Sequence, residues 1–210
     1  MQPRPIAVLL AGGRARRMGG GDKPLRLLGA RTLLDHVIDR IRPQASALVL
    51  NANGDPARFA ACGLPVISDP LPDHPGPLAG ILAGMRWAAV HHPEIADLLS
   101  VPTDTPFLPS DLAARLLAAR ATERTPIACA AWGERVHPPI ALWPVALADD
   151  LEAALRAGER KVEAWAVRHG VAHAQFDGQA DPFVNINTPE ELAAAERALT
   201  PPAPAPRPAR

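Results

Sequence analysis

The stretch LLAGGRARRMGGGDKPL, residues 9–25, joins an apolar run to a glycine-rich, cationic loop. The run at 6–10 ends abruptly at Gly12, and arginines, further glycines, Asp22 and Lys23 follow. A strand that opens into such a loop brings bare backbone N–H groups against a polyphosphate. Arg17 and Lys23 are then the candidate cations that neutralise the phosphate charge, the alternative being a solvated surface loop. The stretch therefore predicts a phosphate-binding turn directly after the first strand.

The spacing within this loop excludes two common phosphate-binding motifs. A Walker loop needs Gly-Lys followed by Ser or Thr, whereas Lys23 lies between Asp22 and Pro24. The dinucleotide fingerprint G-x-G-x-x-G is also absent from the sequence of this stretch. A different class of nucleotide-binding protein is indicated.

The composition predicts one globular domain over residues 1–199. The 210 residues are 48% hydrophobic and 21% charged, with a formal net charge of zero, which argues against nucleic-acid and membrane partners. Cys62 and Cys129 lack metal-ligand spacing and are expected to be reduced, a disulfide being the alternative. With no signal peptide or membrane span in view, we expect a cytoplasmic protein. The proline-rich segment 200–210 is expected to be a disordered tail.

Apolar runs alternate with helical patterns along the first half of the chain. Strands are predicted at 6–11, 47–50, 64–68 and 98–101, and helices at 32–41, 56–61, 77–90 and 110–120. In the second half, strands are predicted at 127–131, 136–143, 171–176 and 183–186, and helices at 147–156, 161–169 and 189–199. This alternation predicts an α/β fold in three layers, with a mainly parallel sheet covered on both faces.

Polar residues follow three of the predicted strands: Asn51, Asp69 and Asp104. Ligands bind beyond the carboxyl ends of parallel strands, so these side chains are expected in one cleft. Asp104, in VPTDTPF, is the candidate Mg²⁺ ligand, because Mg²⁺ takes one or two carboxylates together with substrate phosphates. Asp69 is suited to accept hydrogen bonds from guanine, and GPLAG at 76–80 would let the backbone approach the nucleotide. For either aspartate the alternative is a turn or helix cap.

Four further residues are candidates for the site. Asn185 and Asn187, in FVNIN, flank one residue and so point to one side of an extended segment, where they would complete the metal site or hold phosphate oxygens. The alternative for Asn187 is a turn into the last helix, which Thr188 and Glu191 would cap. His137 and Arg160 are candidates for contact with a second, anionic substrate.

These motifs resemble those of one family. The loop LAGG-x-x-x-RMGG-x-DK, PGPLAG at 75–80, DTPF at 104–107, HPPIAL at 137–142 and FVNINTPEEL at 183–192 look like molybdenum cofactor guanylyltransferases (the MobA family), in the same order. The likeness covers nearly the whole chain apart from the tail. The extra glycine of GGGDK and Pro139, where a polar residue is common, are small departures.

The resemblance implies a nucleotide-diphospho-sugar transferase-like (Rossmann-like) fold that uses GTP and Mg²⁺. The acceptor would be the terminal phosphate of molybdenum-molybdopterin, and transient contacts with other molybdenum-cofactor proteins and apo-molybdoenzymes are expected. Arg17, Gly20, Arg160, Asn185 and Asn187 match positions tied to catalysis or pterin binding. Nucleotide contacts are implied for Leu10, Ala11, Gly12, Lys23, Asn51, Asp69 and Asp104, the last also binding Mg²⁺.

Two other functions fit the sequence. One is a nucleotidyltransferase of the same fold that makes a cytidine cofactor or a nucleotide sugar. The motifs LAGG and PGPLAG together favour guanine as the transferred base, and so argue against these relatives. The other is a non-catalytic carrier that binds molybdopterin or nucleotide and hands it to an apoenzyme. The presence of both Lys23 and Asp104 argues against a carrier.

Overall fold

The computed structural model describes residues 3–12, 21–71 and 76–199. Predictions for two segments lie outside the described residues. These segments are the arginine-rich part of the first loop, with Arg17 and Gly20, and the tail 200–210. The strands are β1 (Ile6–Leu10), β2 (Leu27–Leu28), β3 (Arg31–Thr32), β4 (Ala47–Asn51), β5 (Val66–Ile67), β6 (Asp97–Pro102), β7 (Ile127–Trp132), β8 (Arg135–Pro144) and β9 (Val171–Phe176). The helices are α1 (Leu33–Ile41), α2 (Pro77–His91), α3 (Leu112–Glu123), α4 (Ala148–Arg156), α5 (Val162–His169) and α6 (Pro189–Leu199), and the predicted helix at 56–61 is a 3₁₀ helix (Pro56–Cys62).

The central sheet has seven strands in the order β5-β4-β1-β6-β8-β7-β9. β1 pairs in parallel with β4 and β6, β4 with β5, and β7 with β9. β8 runs antiparallel to both of its neighbours, β6 and β7. The predicted mainly parallel sheet is therefore confirmed, with β8 as its antiparallel insertion.

Helices cover both faces of this sheet, as predicted. On one face, apolar residues of α1 and α3, such as Leu34 and Leu116, pack in one core cluster with Leu9 of β1. On the other face, residues of α2, α4 and α5, such as Ile81 and Trp165, pack with Val8. Successive residues of β1 point to opposite faces, which is why a strand buried on both sides reads as a continuous apolar run.

The predicted strand at 183–186 is wrong. Phe183 and Ile186 are both buried, so the apolar pattern was real, but they belong to different core clusters. The segment makes one backbone hydrogen bond to a neighbouring element within the described residues, from Ile186 N to Asp104 O at 3.0 Å. One such bond does not form a ladder, and the segment is an irregular connection that lies against the turn of Asp104.

The predicted start of the last helix is confirmed. The backbone N of Glu191 donates to Thr188 Oγ1 at 3.2 Å, and the backbone N of Thr188 donates to Glu191 Oε2 at 3.1 Å. This reciprocal capping box satisfies two backbone donors that the helix itself leaves without partners. It fixes the point at which the segment 183–188 turns away from the sheet.

Both cysteine thiols are free, as predicted. Cys129 is buried, and burial raises the pKa of its thiol to about 12. Cys62 is partly buried against the core. Within residues 3–12, 21–71 and 76–199, no helix combines the length and apolar character needed to cross a bilayer.

Candidate active site

A cavity of about 830 Å³ lies beyond the carboxyl ends of β1, β4, β5 and β6. These four neighbouring strands are parallel, so their last residues open onto the same edge of the sheet. The seven residues predicted to contact a nucleotide all line it: Leu10, Ala11, Gly12, Lys23, Asn51, Asp69 and Asp104. Asn185 lines it as well. The strand ends therefore meet in one cleft, as the sequence predicts.

Lys23 and Asp104, 81 residues apart in sequence, form an ion pair in this cavity. Their side chains are 10% and 17% exposed, so both charges are largely removed from water. A second donor of the Lys23 ammonium binds Asn187 Oδ1 at 2.6 Å. An ammonium has three donors, and the described residues occupy two of them, so the third is left for a ligand. Buried charges with partners of this kind are fixed in position, which is what electrostatic catalysis requires.

Asp104 keeps one carboxylate oxygen unused. Oδ2 contacts Lys23, whereas Oδ1 is buried and has no hydrogen-bond partner among the described residues. A buried, unsatisfied carboxylate oxygen is costly unless a ligand or ion completes it. The oxygen is therefore a candidate ligand for a cation in the cavity.

The segment 183–188 holds both asparagines near the ion pair. Its backbone is tied to Asp104 through Ile186 N, with Asn185 and Asn187 on either side of that bond. Asn187 is oriented by its own Nδ2, which donates to Asn185 O at 3.3 Å, and by its backbone N, which donates to Glu191 Oε2 at 2.5 Å. Asn187 thus contacts both Lys23 and the turn into α6, which confirms its predicted place at that turn. Its predicted contact with the metal or with phosphate oxygens stays a prediction.

Asp69 is held by two asparagines. Asn51 Nδ2 donates to Asp69 Oδ1 at 2.9 Å, and Asn53 Nδ2 donates to Asp69 Oδ2 at 2.6 Å. The backbone N of Asp69 donates back to Asn53 Oδ1 at 2.9 Å. Each carboxylate oxygen retains further acceptor capacity. The carboxylate is therefore presented to the cavity as a fixed pair of acceptors.

Gly80 has a different role from the one expected. A Cβ at Gly80 would overlap the side chain of Asn51 and lie 2.8 Å from Leu10 Cδ2. Its missing side chain therefore lets α2 pack closely on β1 and β4 and makes room for Asn51. Gly76, which has a φ of +133°, is the glycine of this motif that lines the cavity.

His137 and Arg160 are not among the described residues that line the cavity. The exposed Arg160 donates from Nη1 to the carbonyls of Leu155 at 3.1 Å and Glu159 at 2.7 Å, so its guanidinium lies over the end of α4. His137 is 6% exposed, and its Nε2 lies 3.4 Å from Asp181 Oδ2. Their predicted contact with a second substrate stays a prediction.

We expect His137 to make the stability of the protein depend on pH. Burial lowers its pKa, an effect that the Asp181 carboxylate opposes and nearby Arg135 reinforces. Below about pH 6.5 the unfolded chain therefore takes up a proton that the folded chain resists. We expect the free energy of unfolding to fall as the pH drops from 6.5 to 5.5, by at most about 1.4 kcal/mol per pH unit. Urea unfolding at several pH values measures this slope.

The variant His137→Gln is the control for this prediction. Its neutral side chain cannot take up the proton, so its stability should change less than that of the wild type over the same pH interval. Equal slopes for the two proteins would show that His137 is not the group responsible.

Sequence reasoning missed several residues that line the cavity, chief among them Asp22, Asn53 and Arg58. For Asn53 a signal existed, because it follows Asn51 by two residues at the end of a strand and so points to the same side. Arg58 lies on the 3₁₀ helix (Pro56–Cys62) and gave no sequence signal.

Comparison with known proteins places this fold and site among the nucleotidyltransferases, since residues 7–174 match the MobA-like NTP transferase domain. The molybdenum cofactor guanylyltransferase of Rhodopseudomonas palustris (strain BisB5) is 56% identical over 197 residues, covering 93% of this chain and 94% of that relative. That of Bradyrhizobium sp. (strain ORS 278) is 56% identical over 192 residues, covering 90% and 91%. The chain belongs to the molybdenum cofactor guanylyltransferase family, which confirms the predicted resemblance.

Solved structures confirm the fold. Molybdopterin-guanine dinucleotide biosynthesis protein A from Archaeoglobus fulgidus superposes with a TM-score of 0.74 at 24% identity, covering 92% of this chain and 98% of that one. The 4-diphosphocytidyl-2C-methyl-D-erythritol synthase from Anaerococcus prevotii gives 0.70 at 11% identity, covering 94% and 96%. A similar fold thus occurs in a protein named for a cytidyl product, so the choice of base has to be argued from side chains.

Proposed function

We propose that this chain transfers GMP from GTP to the terminal phosphate of molybdenum-molybdopterin, with release of pyrophosphate. The new bond joins the acceptor oxygen to the α-phosphorus, and the bond from that phosphorus to the β-phosphate bridge breaks. The observation that carries the proposal is the meeting of Lys23 and Asp104 in one cavity at the strand ends. Phosphoryl and nucleotidyl transfer depend mainly on positioning and on charge stabilisation of this kind.

The residues around Asp104 fit a Mg²⁺ ion. Within the described part of the chain, no group of three or more His, Cys, Asp and Glu residues is arranged for a metal, so a closed protein cage is absent there. Mg²⁺ instead favours one or two carboxylates completed by substrate phosphates and water. The unsatisfied Oδ1 of Asp104 suits that demand, with Asn185 beside it on the cavity wall. When bound, Mg²⁺ would supply positive charge to the triphosphate.

The remaining groups have separate tasks toward the nucleotide. Lys23 would donate its third N–H to the triphosphate and stabilise the charge that develops on the leaving pyrophosphate. Asp69 would accept hydrogen bonds from N1–H and the 2-amino group of guanine. Adenine and cytosine lack that pair of donors and would leave acceptor oxygens of Asp69 unpaired, so the fixed carboxylate favours guanine.

No general base is required on the acceptor side. A terminal phosphate has its second pKa near 6 and is largely ionised at neutral pH, so its oxygen is already a nucleophile. His137 and Arg160 are our predicted contacts for this anionic acceptor. Cytoplasmic location and transient contacts with apo-molybdoenzymes stay predictions alongside them.

Thermal unfolding with Mg²⁺ and each of GTP, CTP, ATP and UTP tests the choice of nucleotide. A ligand that binds the folded state raises the melting temperature, and we expect the largest rise with GTP. Stabilisation by CTP and none by GTP would overturn the proposal. Release of pyrophosphate from GTP with molybdopterin then separates a catalyst from a carrier, since binding without turnover would support the carrier.

A further inference from the structure

Arg58 connects two parts of the cavity that are distant in sequence. Its Nη1 donates to Asp22 Oδ1 at 2.5 Å, and Asp22 directly precedes Lys23. Its Nη2 donates to Asn53 O at 2.5 Å, and its Nε donates to Asp55 O at 2.9 Å. One guanidinium therefore joins the segment that carries the phosphate cation to the segment that holds Asp69.

The 3₁₀ helix that carries Arg58 is itself well anchored. Asp55 caps it, accepting a bond from Ala57 N at 2.9 Å, and Phe59 is 2% exposed in the core. The Arg58 guanidinium also lies 5.1 Å from the centre of the Phe59 ring. Because its backbone is anchored and three of its N–H groups are hydrogen-bonded, the Arg58 side chain has little conformational freedom. The ammonium of a lysine cannot make the same planar set of hydrogen bonds.

We propose that Arg58 is a positioning residue that couples guanine recognition at Asp69 to the placement of Lys23. The inference rests on the proposed function. On one side, Arg58 fixes the backbone of Asn53, whose side chain exchanges two hydrogen bonds with Asp69. On the other side, it fixes Asp22 and so the point at which Lys23 enters the cavity.

The role is one of geometry more than stability. Asp22 and Arg58 are 27% and 35% exposed, and an ion pair so accessible to water adds little to the stability of a fold. Small misplacements of a catalytic group, in contrast, reduce a rate strongly. Loss of Arg58 should therefore change substrate choice and turnover while the melting temperature moves by at most about 4 °C.

The test compares GTP with ITP, whose base lacks the 2-amino group. Calorimetric titration with Mg²⁺ gives both dissociation constants, and pyrophosphate release gives kcat and KM. We expect the wild type to prefer GTP by about 10-fold or more, because ITP leaves part of the Asp69 carboxylate unpaired. In Arg58→Ala and Arg58→Lys the preference should fall below about 3-fold, and kcat should fall by about 10-fold or more.

Three variants resolve the two sides of the connection. Asn53→Ala should lose the preference for GTP with a smaller effect on kcat, since only the side toward Asp69 is released. Asp22→Asn should lower kcat and keep the preference. Arg31→Ala is the matched control, because it removes an arginine from an exposed ion pair with Asp39, and it should match the wild type.

Two results would overturn the inference while leaving the proposed function intact. The first is an Arg58→Lys variant that retains both the preference and kcat. The second is equal weakening of GTP and ITP in Arg58→Ala with Asp22→Asn unaffected, which would make Arg58 a direct contact of the nucleotide. A wild-type protein that binds neither GTP nor ITP would overturn the proposed function and this inference together. The wild type is measured first, so this result would be known before any variant is made.

Discussion

Replacing Asp104 by asparagine is expected to abolish most Mg²⁺-dependent turnover and to preserve the fold. The change removes the charge of the carboxylate that forms the ion pair with Lys23, and with it the buried oxygen suited to a cation. A catalytic metal supplies several kcal/mol of charge stabilisation, so we expect a loss of about 10³-fold or more in kcat. Pyrophosphate release across a Mg²⁺ titration measures it.

Asparagine is preferable to alanine for this test because its amide oxygen still accepts a bond from the Lys23 ammonium. Asp104→Ala would leave Lys23 with Asn187 as its described partner, and breaking a buried ion pair from one side costs about 3 kcal/mol or more. Its turnover should be lost equally, but from a less stable protein. Asp39→Ala, which removes an exposed aspartate of a surface ion pair, is the control expected to be fully active. A near-full rate in Asp104→Asn with Mg²⁺ would contradict the role of Asp104.

The position of the site could be predicted because parallel strands end together. Each apolar run was visible in the sequence, and Asn51, Asp69 and Asp104 followed three of them. Once the runs are placed in one parallel sheet, the carboxyl ends and their polar residues have to meet at one edge. Errors of two or three residues in the ends of the strands do not disturb this argument, as β5 shows: it is shorter than predicted and still delivers Asp69 to the cavity.

Other parts of the site could not be predicted, because they depend on contacts between distant segments. Nothing local to Arg58 shows that its guanidinium meets Asp22, 36 residues earlier. The strand predicted at 183–186 is wrong for a related reason. The apolar residues Phe183, Val184 and Ile186 imitate a short strand in the sequence, but a strand also needs a neighbour with free backbone groups. Only the folded chain shows that no such neighbour is aligned with this segment among the described residues.

The antiparallel course of β8 illustrates the same limit. Its apolar pattern over residues 136–143 was recognised, but pattern alone does not give direction. The short turn between Trp132 and Arg135 was the available signal, because strands joined by so few residues pair antiparallel. The result places Pro139 at the cavity wall, on the side opposite Asn51 in the order of strands.

Replacing Lys23 by alanine is expected to lower kcat/KM for GTP by about 10²-fold or more, the usual cost of removing one preorganised group that stabilises charge. The Lys23 side chain is 10% exposed, so its charge acts in surroundings that screen it weakly. Its loss also leaves Asp104 Oδ2 without its ion-pair partner, so less positive charge remains in the site to offset the triphosphate. The substitution therefore removes a cation from the triphosphate and also removes the ion-pair partner of Asp104.

The division of this loss between kcat and KM decides what Lys23 does. If the ammonium stabilises the departing pyrophosphate, most of the effect falls on kcat, because the stabilised charge develops only in the transition state. A change confined to KM would show that the lysine helps binding alone. Arg156→Ala, which removes an exposed cation from α4, is the control and should leave both constants unchanged. Since the Lys23→Ala variant is also expected to be less stable, its kinetics are measured well below its melting temperature, where the folded fraction of both proteins is complete.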